Sequence, residues 1–155
     1  LKVNGVLSEN PTAFIASSKL QVAYTGYHFR FEDYQKGEDD FSGNKLTGVA
    51  PNTMATVLDI AFKGNFYSNL SWFWSDKIPL RDDNTVYADA YSNVTCRVGW
   101  KKQLASGKWS LEVFTGVDNL LDQEFSWGND LNAFGGRNYQ PAPVRNYYGG
   151  LKIHL

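Results

Sequence analysis

Residues 145–155 read Arg145-Asn146-Tyr147-Tyr148-Gly149-Gly150-Leu151-Lys152-Ile153-His154-Leu155. The odd positions, Tyr147, Gly149, Leu151, Ile153 and Leu155, are free of charge. The even positions, Asn146, Tyr148, Gly150, Lys152 and His154, are mostly polar. Successive side chains of a strand leave on opposite faces, so a period of two predicts a strand that meets two different surroundings.

The same period recurs upstream. Residues 88–102 set Ala88, Ala90, Ser92, Val94, Cys96, Val98 and Trp100 against Asp89, Tyr91, Asn93, Thr95, Arg97, Gly99 and Lys101. Residues 108–119 set Trp109, Leu111, Val113, Thr115 and Val117 against Ser110, Glu112, Phe114, Gly116 and Asp118. Residues 53–63 and 65–75 alternate likewise, through Leu58 and Ile60 in one and Leu70, Trp72 and Trp74 in the other. A further strand begins near Lys19, and residues 1–7 read as another. No sustained apolar pattern of helical period is present. The sequence therefore predicts an all-β chain of about seven antiparallel strands.

Three features carry the expectation further. Many strands run to ten residues or more, where soluble strands cluster at about 5–6 and membrane-crossing strands need about 9–11. Long and short connections alternate, as in up-and-down barrels of the outer membrane. One face of each of the five later strands is expected to carry no Lys, Arg, Asp or Glu, once Arg145 at a loop end is set aside. A cation at the bilayer midplane of such a barrel costs about 2–4 kcal/mol. A soluble barrel or sandwich would also exclude charge from its core, so that reading stays open.

Composition excludes other classes. The 15 Lys+Arg are matched by 16 Asp+Glu, giving a net charge of −1, which does not suit a nucleic-acid surface. The single Cys96 forbids an internal disulfide and a Cys-based zinc site; it falls on an apolar face as a small hydrophobe. No apolar run is long enough for a transmembrane helix. The start lacks the layout of a signal peptide, so the chain reads as a mature protein or a fragment. No Ser-His-Asp set, phosphate loop or close carboxylate pair stands out, so no catalytic residue and no cofactor is expected. Asp82-Asp83-Asn84 lacks the ligand spacing of a calcium loop, and His28 and His154 lie too far apart for a shared metal. The Asn69-Leu70-Ser71 and Asn93-Val94-Thr95 sequons fall mid-strand and read as polar interior positions.

Three longer stretches carry a resemblance. They are Gly43-Asn44-Lys45-Leu46-Thr47-Gly48-Val49-Ala50-Pro51-Asn52, Val117-Asp118-Asn119-Leu120-Leu121-Asp122-Gln123-Glu124-Phe125, and residues 136–151 from Gly136-Arg137-Asn138-Tyr139 through Pro141, Pro143 and Arg145 to Leu151. In order and spacing the set resembles the C-terminal part of TonB-dependent outer-membrane receptors, over roughly residues 40–155. The departures are Ala50 before Pro51, Leu121 and Phe125 where Phe and Tyr are usual, and Val144 where Gly is usual.

The resemblance implies a 22-stranded class of barrel with a plugged lumen. This chain would supply about its last seven strands, without the plug. It implies ligand-gated active import, with a ferric siderophore as the first expectation, and TonB, outer-membrane lipid and a small-molecule ligand as partners. The C-terminus would lie on the periplasmic side. Tyr147, Leu151, Ile153 and Leu155 would form the membrane-assembly signal, although Leu155 stands where the family ends in an aromatic. Trp100, Trp109 and Tyr147 are expected in the aromatic girdles. Outer-loop residues Arg81, Asp82, Asp83, Trp127, Asn129, Arg137 and Tyr139 are the candidate ligand contacts, since loops carry recognition and an Arg fork suits an anionic chelate. Arg137 and Tyr139 also sit inside a family box, which favours a structural part. A complete small outer-membrane barrel with a structural or adhesive role, and a soluble β-barrel or sandwich binding module, are the alternatives.

Overall fold

The computed structural model describes residues 1–104 and 109–154. Seven long strands form one antiparallel sheet: β1 (Lys2–Glu9), β2 (Ile15–Gly26), β5 (Asn52–Phe62), β6 (Phe66–Ser75), β9 (Tyr91–Leu104), β10 (Trp109–Asp118) and β13 (Asn146–His154). Each pairs with its neighbour in sequence, so the sheet is an uninterrupted meander. Three small ribbons, β3 (Gln35–Lys36) with β4 (Asp39–Asp40), β7 (Ile78–Pro79) with β8 (Tyr87–Ala88), and β11 (Ser126–Asn129) with β12 (Tyr139–Pro141), sit on the connections 27–51, 76–90 and 119–145. In a meander these three connections leave from the same end of the sheet. The connections 10–14 and 63–65 lie at the other end and are short.

Some boundaries differ from the sequence reading. β2 starts at Ile15 and stops at Gly26, because Tyr27 donates to Pro51 O and the chain turns into the loop. Ala88 belongs to the loop ribbon rather than to β9. β9 runs on to Leu104, which sets Lys102 opposite Leu111 on the apolar face. The expectation of wholly uncharged faces therefore fails at this one position, near the end of its strand.

Cross-strand register carries the alternation from strand to strand. One row on the apolar face runs Leu20, Leu58, Leu70, Cys96, Val117, Tyr147. The adjoining polar row runs Lys19, Asp59, Asn69, Arg97, Gly116, Tyr148. Partners directly opposite share a face, so the register converts seven separate alternations into two continuous surfaces.

Among the described residues no second sheet or helix packs on the apolar surface, while the 119–145 connection folds over one end of the polar surface. Among the described residues the buried hydrophobics are Leu80 and Ala88, both in the 76–90 connection. The packed core thus lies among the loops. The sheet does not close among the described residues, and there β1 and β13 each have one edge without a partner strand. No helix among the described residues is long and apolar enough to cross a membrane.

The polar face has its own packing. Arg97 and Glu112 form an ion pair, and the Tyr67 hydroxyl donates to Glu112 Oε1 at 2.5 Å. The Arg97 guanidinium lies 3.8 Å over the Phe114 ring, an attractive cation–π placement. Glycines make room for these rings: a Cβ on Gly99 would strike Tyr67, one on Gly116 would strike Tyr148, and one on Gly150 would strike Phe114.

Candidate functional site

The three long connections fold against one another, and Asp82 is their common point. Its carboxylate accepts hydrogen bonds from Thr47 Oγ1 at 2.7 Å, from Asn132 Nδ2 at 3.0 Å and from the Tyr34 hydroxyl at 3.3 Å. Its backbone N–H donates to Asn132 Oδ1 at 3.0 Å, and its carbonyl accepts from Asn44 Nδ2 at 2.8 Å. Asn44 and Thr47 belong to the first loop and Asn132 to the third. One residue of the middle loop thereby fastens both neighbours.

Electrostatics follow from this geometry. Burial pushes the Asp82 carboxyl upward, but the hydrogen bonds from Thr47, Asn132 and Tyr34, with Lys36 nearby, outweigh it and hold it below the ordinary carboxylate value. Burial raises Tyr34, and the neighbouring Asp82 charge raises it further. Asp83 is lowered by the side-chain and backbone hydrogen bonds of Thr85.

The quoted motifs find local reasons here. Gly48 has φ +83°, a left-handed conformation that suits glycine, and a Cβ there would lie 2.7 Å from Leu131. Its N–H donates to Pro79 O in the middle loop. Asn119, also left-handed at φ 50°, donates to Gln123 O and Pro143 O and accepts from Gln123 N–H. The Asp122 carboxylate accepts from the Arg145 N–H at 2.9 Å. The second and third motifs are thus two halves of one interlocked loop base. Phe125 adds a stacked contact with Tyr91, centroids 4.2 Å apart.

The candidate contacts divide between two places. Arg81, Asp82 and Asp83 line a polar hollow of about 290 Å³ with Lys36 and Asp39. Arg81 lies 3.5 Å from Asp83, and the Asp83 carboxylate also caps Thr85. Trp127, 66% exposed, stands at a second hollow of about 210 Å³ with Phe125, Asn93, Thr95, Asp118 and Asn146. Asn129, Arg137 and Tyr139 line neither. Asn129 Oδ1 is buried without a partner, Arg137 is exposed, and the Tyr139 hydroxyl donates to Tyr87 O at 3.0 Å.

Asn93, Thr95 and Asp118 were not among the candidates. Alternation places them on the polar face, but the fold-back of residues 119–145 over that face has no sequence signal. Asn93 Oδ1 has no partner and is shielded from solvent, an unsatisfied acceptor beside the hollow. Among the described residues no three His, Cys, Asp or Glu side chains assemble into a metal site.

The girdle candidates sit toward the strand ends. Trp100 Nε1–H donates to Gly64 O at 3.0 Å, fixing the indole near the tight turn. Trp109 begins β10, and Tyr147 is 75% exposed near the start of β13. Tyr147, Leu151 and Ile153 share the apolar face of the edge strand, and Leu155 lies outside the described residues. No family model matches the chain.

Proposed function

We propose that this chain is a sector of a larger outer-membrane β-barrel, the C-terminal part of a TonB-dependent receptor engaged in ligand-gated active import. The observation that carries the membrane part is the uncovered apolar face. On β10, Val113 is 46% exposed while Glu112, on the opposite face, is 8% exposed. A soluble sandwich would cover the apolar face with a second sheet; a barrel wall turns it toward lipid and encloses the polar one.

Dimensions support the same reading. On the apolar face Trp74 pairs with Ser92 and Trp109 with Leu104. Twelve residues of β9 separate these rows, roughly 40 Å of strand at about 3.3 Å per residue. A tilt near 40° brings that to about 30 Å across the bilayer, close to the hydrocarbon thickness of about 30 Å.

Strand parity argues against a small barrel made by this chain alone. Seven strands in meander order leave β1 and β13 pointing the same way, so joining them would create a parallel pair. An all-antiparallel barrel requires an odd number of further strands. The unpaired edges also need partners, because lipid supplies no hydrogen bonds to backbone groups.

The import activity, the ferric siderophore as cargo, the TonB partnership and the periplasmic C-terminus rest on the three motifs. The test is the reading frame upstream of Leu1. Several hundred further residues with a plug-like start support the proposal; a stop codon and signal peptide immediately upstream overturn it. Refolding gives a second check: a monodisperse monomer in plain buffer, without detergent, excludes the membrane reading.

A further inference from the structure

The apolar face holds one open groove with a charge at its end. Phe62, Phe66, Val98, Trp100, Val113 and Thr115 form its walls, over a space of about 400 Å³. Trp100 pairs with both Phe66 and Val113, and Val98 with Thr115, so the groove spans four neighbouring strands, β5, β6, β9 and β10. Phe66, Val98 and Val113 are all exposed.

One row beyond Trp100, toward the short connections, stands Lys102 opposite Leu111. Among the described strand residues it is the lone cation on this face. It is exposed and lies roughly 7 Å along the strand from Trp100, two residues at about 3.3 Å each. Lys63, in the tight turn between Phe62 and Phe66, adds a second positive charge at the same end. A lysine near a membrane boundary keeps its stem along apolar surface and its ammonium at headgroup level. The Trp100 indole is tied to Gly64 O, which fixes it on the Lys102 side of the groove.

We propose that this groove, headed by Lys102, holds one anionic phospholipid of the leaflet on the short-connection side. An acyl chain lies against Phe66, Val98 and Val113, and the phosphate meets the Lys102 ammonium. Charge complementarity selects the occupant: the walls are apolar, and among the described residues the charges flanking the open end, Lys102 and Lys63, are positive. The inference rests on the membrane-spanning reading and adds a lipid preference to it.

The experiment places the full-length protein in phosphatidylcholine vesicles doped with brominated phosphatidylglycerol or brominated phosphatidylcholine. Quenching of Trp100 is read as the difference between wild type and Trp100→Phe. Brominated phosphatidylglycerol should reach half-maximal quenching at about a fivefold lower mole fraction, the factor expected from one cation near an anionic headgroup. Lys102→Gln should remove most of that preference. Lys101→Gln, whose side chain points to the polar face opposite Glu112, should retain it. Equal quenching by the two lipids, or equal loss in both lysine variants, overturns the bound-lipid inference while the membrane reading stands. Absence of quenching by either lipid overturns both.

Discussion

Glu112 and Val113 are adjacent on β10 and leave on opposite faces of the sheet, and the glutamate is the more enclosed of the two. Glu112 is paired with Arg97 and accepts from Tyr67, whereas Val113 meets no covering layer. That inversion of the soluble pattern makes the faces testable by charge insertion. Val98→Arg and Leu58→Arg place a cation on the apolar face, at an expected cost of about 2–4 kcal/mol near the bilayer midplane. Asp59→Arg, on the polar face, should cost far less in insertion. Folding titrations into lipid vesicles measure the difference, and equal effects would reverse the face assignment.

The ring seats on the polar face predict a second result. Gly150→Ala drives a methyl into Phe114, the ring that carries the Arg97 guanidinium. Overpacking of this kind costs about 1–3 kcal/mol. The double variant Gly150→Ala/Phe114→Ala should destabilise by clearly less than the sum of the single variants, because the clash disappears with the ring. Strict additivity in denaturant unfolding would mean that the seat has no energetic role.

Strand existence and facing were legible because period two is a local property, fixed by the pleat. Lys102 escaped although the period of two already puts it on the face of Val98 and Trp100; it closes the 88–102 stretch, where a charged residue reads as the start of a turn. The loops were legible only in part. The residues of the 43–52 motif could be quoted, but the bonds from Asn44 and Thr47 to Asp82 span 38 and 35 residues of sequence. The hollow beside Trp127 joins Asn93 to Asn146 through the path of a long loop, and loop paths are set by tertiary packing.

The loop fastening predicts a third outcome. Asp82→Ala removes the acceptor shared by Thr47, Asn132 and Tyr34. A net hydrogen bond to a charged group is worth about 1.5–3 kcal/mol, so losing even one raises local opening by about tenfold or more. Limited proteolysis within residues 27–51 and 119–145 should accelerate together, since one residue ties both loops. Acceleration in a single loop would show that the other is held independently. Asn44→Ala, which breaks only the bond to the Asp82 carbonyl, should have the smaller effect.

The same carboxylate sets a pH dependence. Its pKa in the folded chain is lowered, so the folded loops favour the ionised form more than the unfolded chain does, where the value is about 3.9. The resulting stabilisation is fully present above about pH 4 and is lost as the pH falls through the lower folded value. Asp83 and Asp40 are lowered too and act in the same direction. Loop protection should therefore be flat from neutral pH down to about pH 5 and decline in more acidic solution. Asp82→Asn keeps the size of the side chain but cannot ionise, so its protection should start lower and vary less with pH. Hydrogen exchange of the Asn132 amide, whose N–H donates to Leu80 O beside the hub, reads this directly. An acid decline as steep in Asp82→Asn as in wild type would assign the dependence to other carboxylates.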